Sequence, residues 1–296
     1  MKNIFIIGYG QLGHTLCKRH LKLGHQVITV SRHFHEPLTD HHQHICYDLD
    51  SSDTLDIPEH LSKSIDGLYY LAPPNPSGIK DRRLLHFLAL HNHLRINHLL
   101  YISTTGVYGD SKGQWITEST PVSPSADRAK RRLDAEQQLS NFAQQGNTVL
   151  TILRCAAIYS SKTVNKERIA ANDKPVITAQ QAPFTNRIHL TDLTEVCLKA
   201  MQNPPVKIEI YNVSDGHPST TTEHAWLLSD LAGIKRNREI ALEDAEQFYS
   251  PAYLSYLRES KRLDTTKLIT KLSPEFLFED CKQGILQCLN YSGRND

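Results

Sequence analysis

The sequence predicts an α/β fold with a doubly wound parallel sheet and a smaller lobe formed by the C-terminal part of the chain. Three observations predict it. Apolar runs with strand character alternate with helix-period segments through the first two thirds of the chain. A glycine-rich turn sits between the first such run and the first such segment, in "FIIGYGQLGHTLCKRHLKLGHQVITVSR", Phe5 to Arg32. The 296 residues, 39% of them apolar, suffice for one large core and a lobe beside it.

The elements follow in order. Lys2–Ile7 reads as a strand, Gln11–Leu23 as an amphipathic helix, and Gln26–Val30 as a β-branched strand. His44–Tyr47 is a short strand, a polar helix begins near Asp53, and Gly67–Leu71 is the fourth strand. Asp81–His93 carries Leu84, Leu85, Leu88 and Ala89 on one helical stripe. His98–Ser103 is the fifth strand, Ala126–Gln145 a long charged helix, and Thr148–Ala157 the sixth strand. Strands separated by helices of this length imply right-handed crossovers and a parallel sheet covered on both faces.

From about Ser160 to Asn186 no period is strong. A helix capped by Thr191 or Asp192, a strand in "VKIEIYNV", a helix in "TTTEHAWLLSDLAGI" and two tail helices split at Ser273-Pro274 complete the chain. The expected division is a dinucleotide-binding domain over residues 1–160 and, over 161–296, the remaining sheet elements with a small substrate-binding lobe.

Gly8, Gly10 and Gly13 form GxGxxG, with Gln11 and Leu12 opening the helix between the last two. Gly8 permits the tight turn, Gly10 lets backbone approach a pyrophosphate, and Gly13 lets helix pack on strand. The helix N-terminus then faces the anion with free N–H groups and the positive end of its dipole. A strand before, a helix after and a second strand on schedule make this a Rossmann-type cofactor turn. Proteins that prefer NAD place an acid at the end of the second strand, for the ribose 2′-hydroxyl. Here Ser31 and Arg32 stand there. A carboxylate would repel a 2′-phosphate, whereas a hydroxyl and a guanidinium would bind it, so NADP is expected over NAD.

The remaining composition excludes several classes. Net charge is +1, so nothing calls for nucleic acid or a membrane surface as partner. No apolar run reaches the roughly 18 residues of a transmembrane helix. Six scattered cysteines without a CxxC pair point to free thiols in a reducing cytoplasm. His41, His42 and His44 could bind a metal, but no carboxylate or cysteine recurs at ligand spacing, and a solvated loop between strands is the expectation.

The chain resembles the short-chain dehydrogenase/reductase superfamily in its extended, NAD(P)-dependent epimerase/dehydratase-like form, among its atypical members. The resemblance rests on the glycine turn, Asp48-Leu49 after the third strand, "YLAPP" at Tyr70–Pro74, "YISTTGVYGD" at Tyr101–Asp110, "LRCAAIY" at Leu153–Tyr159, "RIHLTDL" at Arg187–Leu193 and "IYNVSDG" at Ile210–Gly216. It implies that Asp48 and Leu49 hold the adenine and that Ala72 and Pro73 lie beside the ribose and nicotinamide half. It implies that Thr104, four residues before Tyr108, is the hydroxyl that hydrogen-bonds the substrate oxygen. It also implies a small-molecule substrate, of carbonyl or sugar-nucleotide kind, and a homodimer through the helices Asp81–His93 and Ala126–Gln145.

One part of the pattern is missing. The family's Tyr-x-x-x-Lys pair belongs on the helix after the fifth strand, where i and i+4 share a face and the lysine lowers the tyrosine's pKa. Alignment on "LDAE" puts Arg128 and Arg132 at those positions; alignment on Lys130 puts Ala126 at the tyrosine. Arginine does not deprotonate and cannot carry the proton. Tyr159, at the end of the sixth strand, is the expected substitute, ahead of Tyr108, with His189 as a buttress and Arg154 as a structural ion-pair residue. Arg128, Lys130, Arg131 and Arg132 are expected on a solvated face, paired with Asp134 and Glu136. Two functions follow: an NADP-dependent oxidoreductase of the epimerase/dehydratase kind, or an NADP-binding sensor or scaffold without turnover.

Overall fold

The computed structural model describes residues 1–34, 36–51, 53–55, 57 and 64–290. The expected polar helix near Asp53 falls largely outside the described residues.

The chain divides into two compact units. The first comprises Met1–Val107, Asp127–Arg154 and Thr194–Tyr211; the second comprises Tyr108–Ala126, Cys155–Leu193 and Asn212–Asp296. Both units are therefore discontinuous in sequence, unlike the expected division at residue 160. The reason is topological: late residues return to the edge of the sheet, while the segment after the fifth strand leaves it.

Among the described residues the main sheet has seven strands. We name β1 Asn3–Ile7, β2 Gln26–Ser31, β3 His42–Cys46, β4 Ile65–Tyr70 and β5 Ile96–Thr104. In space the order runs β3, β2, β1, β4, β5, then Val149–Cys155, then Ile208–Val213. The pairings β1–β2, β1–β4, β2–β3 and β4–β5 are all parallel. Inward side chains such as Phe5, Ile7, Leu68, Leu99 and Ile152 are buried in one core cluster, which is why these strands read as nearly continuous apolar runs. The order reverses at β1, whose neighbours β2 and β4 lie on opposite sides. Ligands bind in open α/β sheets in the crevice outside the strand carboxyl ends at such a switch point.

The expected elements are found with shifted ends. β3 starts at His42 and not at His44, which corrects the loop expectation for that histidine. His42 is buried, and its Nε2 lies 2.9 Å from Thr29 Oγ1. Among the described residues no three His, Cys, Asp or Glu side chains are grouped to hold a metal. The helix expected to be capped by Thr191 or Asp192 begins at Leu190. There His189 Nδ1 accepts from the Thr191 amide at 3.1 Å. Asp192 lies inside the first turn and accepts from the Leu277 amide at 2.7 Å. The stretch expected to lack structure contains the short helix Lys166–Ala170. The tail helices Thr266–Leu272 and Cys281–Asn290 flank Ser273-Pro274 as expected.

Candidate cofactor cleft and active site

The glycine turn is built by three distinct constraints. Gly8 follows β1 with φ +103°, a left-handed value that disfavours other residues, and a Cβ there would meet the Ala72 nitrogen at 2.8 Å. A Cβ on Gly13 would stand 2.2 Å from the Gly8 carbonyl oxygen. Gly10 differs, because a Cβ there would meet nothing within 4 Å. Its bareness serves no packing need inside the protein and leaves backbone open to a ligand. The helix that follows, α1 (Gln11–Lys22), has Gly10 as N-cap, no side-chain cap and no acid in its first turn. An anion can approach that N-terminus without displacing a protein group.

A cleft of about 380 Å³ opens at the carboxyl ends of β1, β2 and β4. Gly8, Gly10, Ser31, Arg32, Asp48, Leu49, Ala72 and Pro73 line it. Eight of the eleven residues expected at the cofactor thus share one cleft; Gln11, Leu12 and Gly13 belong to the helix turn behind it. Ser31 Oγ donates to the His33 carbonyl at 2.7 Å, which turns the chain just past β2. Tyr9, His33, Tyr47 and Arg83 also line the cleft. Sequence reasoning missed them, Arg83 above all, because a helix-opening arginine carries no motif. Tyr9 donates to Glu36 at 3.0 Å, and burial raises its pKa.

The catalytic expectations separate. Thr104 ends β5, half-buried, and its Oγ1 accepts from the Gly106 amide at 3.2 Å. Tyr159 lies in the other unit at 6% exposure. Its ring stands edge-on to His189 at 5.1 Å, and a Cβ on Gly284 would strike its hydroxyl. Burial raises its pKa far above the ordinary phenol value, with the Cys281 and Asp215 charges adding to the rise. That direction is opposite to the one a proton carrier at neutral pH needs. Tyr108 is buried and donates to Asn212 Oδ1 at 2.7 Å. His189 is pushed down to about 4 by burial and packs against Phe278, as a buttress does.

The charged helix Asp127–Gln145 is only in part the solvated face expected: Arg128 is exposed and Lys130 pairs with Asp127 at 3.4 Å, whereas the expected partners Asp134 and Glu136 are engaged elsewhere. Glu136 is 4% exposed and forms a buried pair with Arg154, Nη2 to Oε2 at 2.7 Å, while Ser103 Oγ donates to Oε1 at 2.5 Å. Arg154 is the ion-pair residue expected. Arg132 donates to the Tyr101 hydroxyl at 3.0 Å and to the Ile102 carbonyl at 2.9 Å. Asp134 accepts from the Asp81 amide at 2.8 Å. The helix is charged because it binds the ends of β5 and the neighbouring turns, not because it faces water throughout.

The NAD dependent epimerase/dehydratase family matches residues 4–214 of this chain. UDP-arabinose 4-epimerase 1 of Arabidopsis thaliana is 24% identical over 182 residues, 51% of this chain and 42% of that protein. The chain therefore spans less than half the length of that curated relative. A functionally unknown conserved protein from Silicibacter pomeroyi superposes with a TM-score of 0.79 at 21% identity, over 97% of this chain and 98% of the other. UDP-glucose 4-epimerase of Thermotoga maritima, solved with UDP-glucose, gives 0.76 at 18% identity over 98% of both chains. UDP-glucuronic acid 4-epimerase of Bacillus cereus, solved with NAD, gives 0.73 at 18% identity over 96% of both. At these identities the structural likeness speaks to the fold.

Proposed function

The chain belongs to the NAD dependent epimerase/dehydratase family, and from that premise we propose an NADP-binding oxidoreductase of the epimerase/dehydratase kind. Its substrate would be a small carbonyl or sugar-nucleotide-like molecule. The observation that carries the reading is the cleft itself. Its glycine turn leaves Gly10 open on the ligand side, and the end of β2 offers Ser31 and Arg32 where a ribose-binding acid would stand. The residues fit a nicotinamide dinucleotide: the Gly8–Gly13 turn for the pyrophosphate, Asp48 and Leu49 for the adenine, Ala72 and Pro73 for the ribose side. Bound there, the nicotinamide supplies a reversible hydride acceptor. Arg32 would hold the 2′-phosphate by charge-assisted hydrogen bonds, and the Ser31 hydroxyl would join it by turning from the His33 carbonyl. Thr104 positions the reacting oxygen of the substrate. Tyr159 packs the core of its own unit, and no proton is routed through it.

A second reading, a nucleotide-binding sensor or scaffold without turnover, is favoured by one observation. On the LDAE alignment the family's lysine position would fall on Arg132, whose guanidinium is engaged by Tyr101 and Ile102. One experiment separates the two: titrate NADP and NAD, then follow both nicotinamide absorbance in single turnover and chromatographic conversion of a panel of carbonyl compounds and sugar nucleotides, since an epimerase returns the hydride within each cycle. Hydride movement or substrate conversion supports the enzyme; tight NADP binding with neither on any substrate supports the sensor.

Two further parts of the reading concern context. The six cysteines are free thiols, which fits a reducing cytoplasm. Among the described residues no helix is long and apolar enough to cross a membrane. A homodimer would use the helices Arg82–Leu90 and Asp127–Gln145, the first of which presents Leu85 at 56% exposure. Sedimentation tests it, with Leu85→Glu expected to yield monomer.

A further inference from the structure

Arg83 sits in the first turn of the helix Arg82–Leu90, just after its Asp81 N-cap. Its side chain is only 13% exposed, yet it lines the same cleft as Gly8, Ser31 and Arg32. Three nitrogens of the guanidinium are engaged. Nε donates to Asp50 Oδ1 at 2.8 Å, Nη2 donates to Asp50 Oδ2 at 2.5 Å, and Nη1 donates to the Pro73 carbonyl at 2.7 Å. Asp50 follows Asp48-Leu49 in the turn after β3, and Pro73 belongs to the turn after β4. One planar fork therefore spans the two turns that would hold the adenine and the ribose. Only arginine has this reach and bidentate geometry; a lysine offers a single point of charge.

We propose that Arg83 is a positioning residue for the cofactor, a clip that sets the spacing between the turn after β3 and the turn after β4. The proposal rests on the reading of the cleft as a dinucleotide site, and it adds a residue that the glycine motif does not contain. Arg83 does not itself hold the 2′-phosphate, because its fork is already closed on Asp50. Its hydrogen bonds hold that carboxylate below the usual range. The phosphate falls to Arg32, exposed at the end of β2. An isolated exposed ion pair would contribute next to nothing; this one is largely covered on the arginine side and carries a third bond to backbone.

The test is calorimetric titration of NADP and of NAD, well below the melting temperature, into wild type, Arg83→Ala, Arg83→Lys, Asp50→Asn and Arg32→Ala. A lost charge-assisted bond predicts that Arg83→Ala weakens both cofactors alike, by about tenfold, leaving their ratio unchanged. Arg83→Lys keeps the charge but cannot bridge, so it restores little. Asp50→Asn reproduces most of the loss, and Arg83→Ala combined with Asp50→Asn is no worse than the poorer single. A loss confined to NADP would make Arg83 a phosphate ligand and overturn the clip. Unchanged affinities with a lowered melting temperature would make it structural only and overturn it too. Wild type that binds NAD alone, with Arg83→Ala still weakening it, would overturn the NADP reading and uphold the clip. Wild type that binds neither cofactor would overturn both.

Discussion

Arg132 donates a hydrogen bond to the buried hydroxyl of Tyr101 at 3.0 Å. The same guanidinium lies 5.6 Å from the centre of the Tyr101 ring. The Arg132 guanidinium is thus turned into the end of β5. Burial pushes the Tyr101 phenol up to about 12, and Arg132 works against that rise. Replacing Arg132 by Met removes the donor to a buried hydroxyl and to the Ile102 carbonyl. The expected loss is about 1–3 kcal/mol of folding stability, read as a lower urea midpoint with an unchanged slope.

Gly10 and Gly13 are expected to respond in opposite ways. Gly10→Val adds a side chain whose Cβ meets no atom of the described residues within 4 Å, so circular dichroism and melting are expected to stay near wild type while nucleotide binding is lost. Gly13→Ala drives a methyl into the Gly8 carbonyl, so the fold itself loses stability. Retained nucleotide affinity in Gly10→Val would mean that the open turn binds no pyrophosphate.

Arg32→Ala is expected to weaken NADP by about tenfold to a hundredfold, the range of a charge-assisted contact, and to leave NAD nearly unchanged. Fluorescence titration of both reduced cofactors reads the ratio directly. Equal losses for the two would remove the 2′-phosphate from the argument.

Thr104→Ala is expected to lower turnover while sparing cofactor affinity if, as proposed, its hydroxyl acts on substrate. Thr104→Ser keeps the hydroxyl and most of the rate. Tyr159→Phe is expected to leave single-turnover hydride transfer unchanged, because the phenol is packed against Gly284. A hundredfold loss in Tyr159→Phe would be the signature of a positioned acid or base and would return that residue to the active site.

Asp215 gives a pH dependence with a definite sign. Among the described residues its Oδ2 is buried without a hydrogen-bond partner, and burial pushes its pKa up to about 6. A carboxyl whose folded pKa lies above its unfolded value of 3.8 binds its proton more tightly when folded. Its contribution is therefore full below pH 3.8 and is lost as pH rises through about 6. Asp215→Asn is expected to raise stability at pH 7.5, by about 2–3 kcal/mol at most, and to change little at pH 4. Thermal melts at the two pH values check it. A variant less stable at pH 7.5 would mean that the charged carboxylate is needed.

By itself the sequence determined the alternation of strands and helices, the position of the glycine turn, and Ser31-Arg32 at the end of β2. These are local signals: side-chain period, backbone freedom and the order of neighbours along the chain write them directly into consecutive residues. The tertiary structure decided which distant side chains meet. Arg83 bonds Asp50 across 33 positions, and Glu136 is buried with Arg154 across 18. A charged helix looks the same in sequence whether its acids face water or a buried guanidinium, so Glu136 reads as solvated until the strand Val149–Cys155 is placed beside it. Tyr159 reads as a residue at a sheet edge until Gly284 and Cys281, from the far end of the chain, close over its hydroxyl and raise its pKa. Desolvation and charge pairing depend on what surrounds a group in space, and the order of residues along the chain does not encode those surroundings locally.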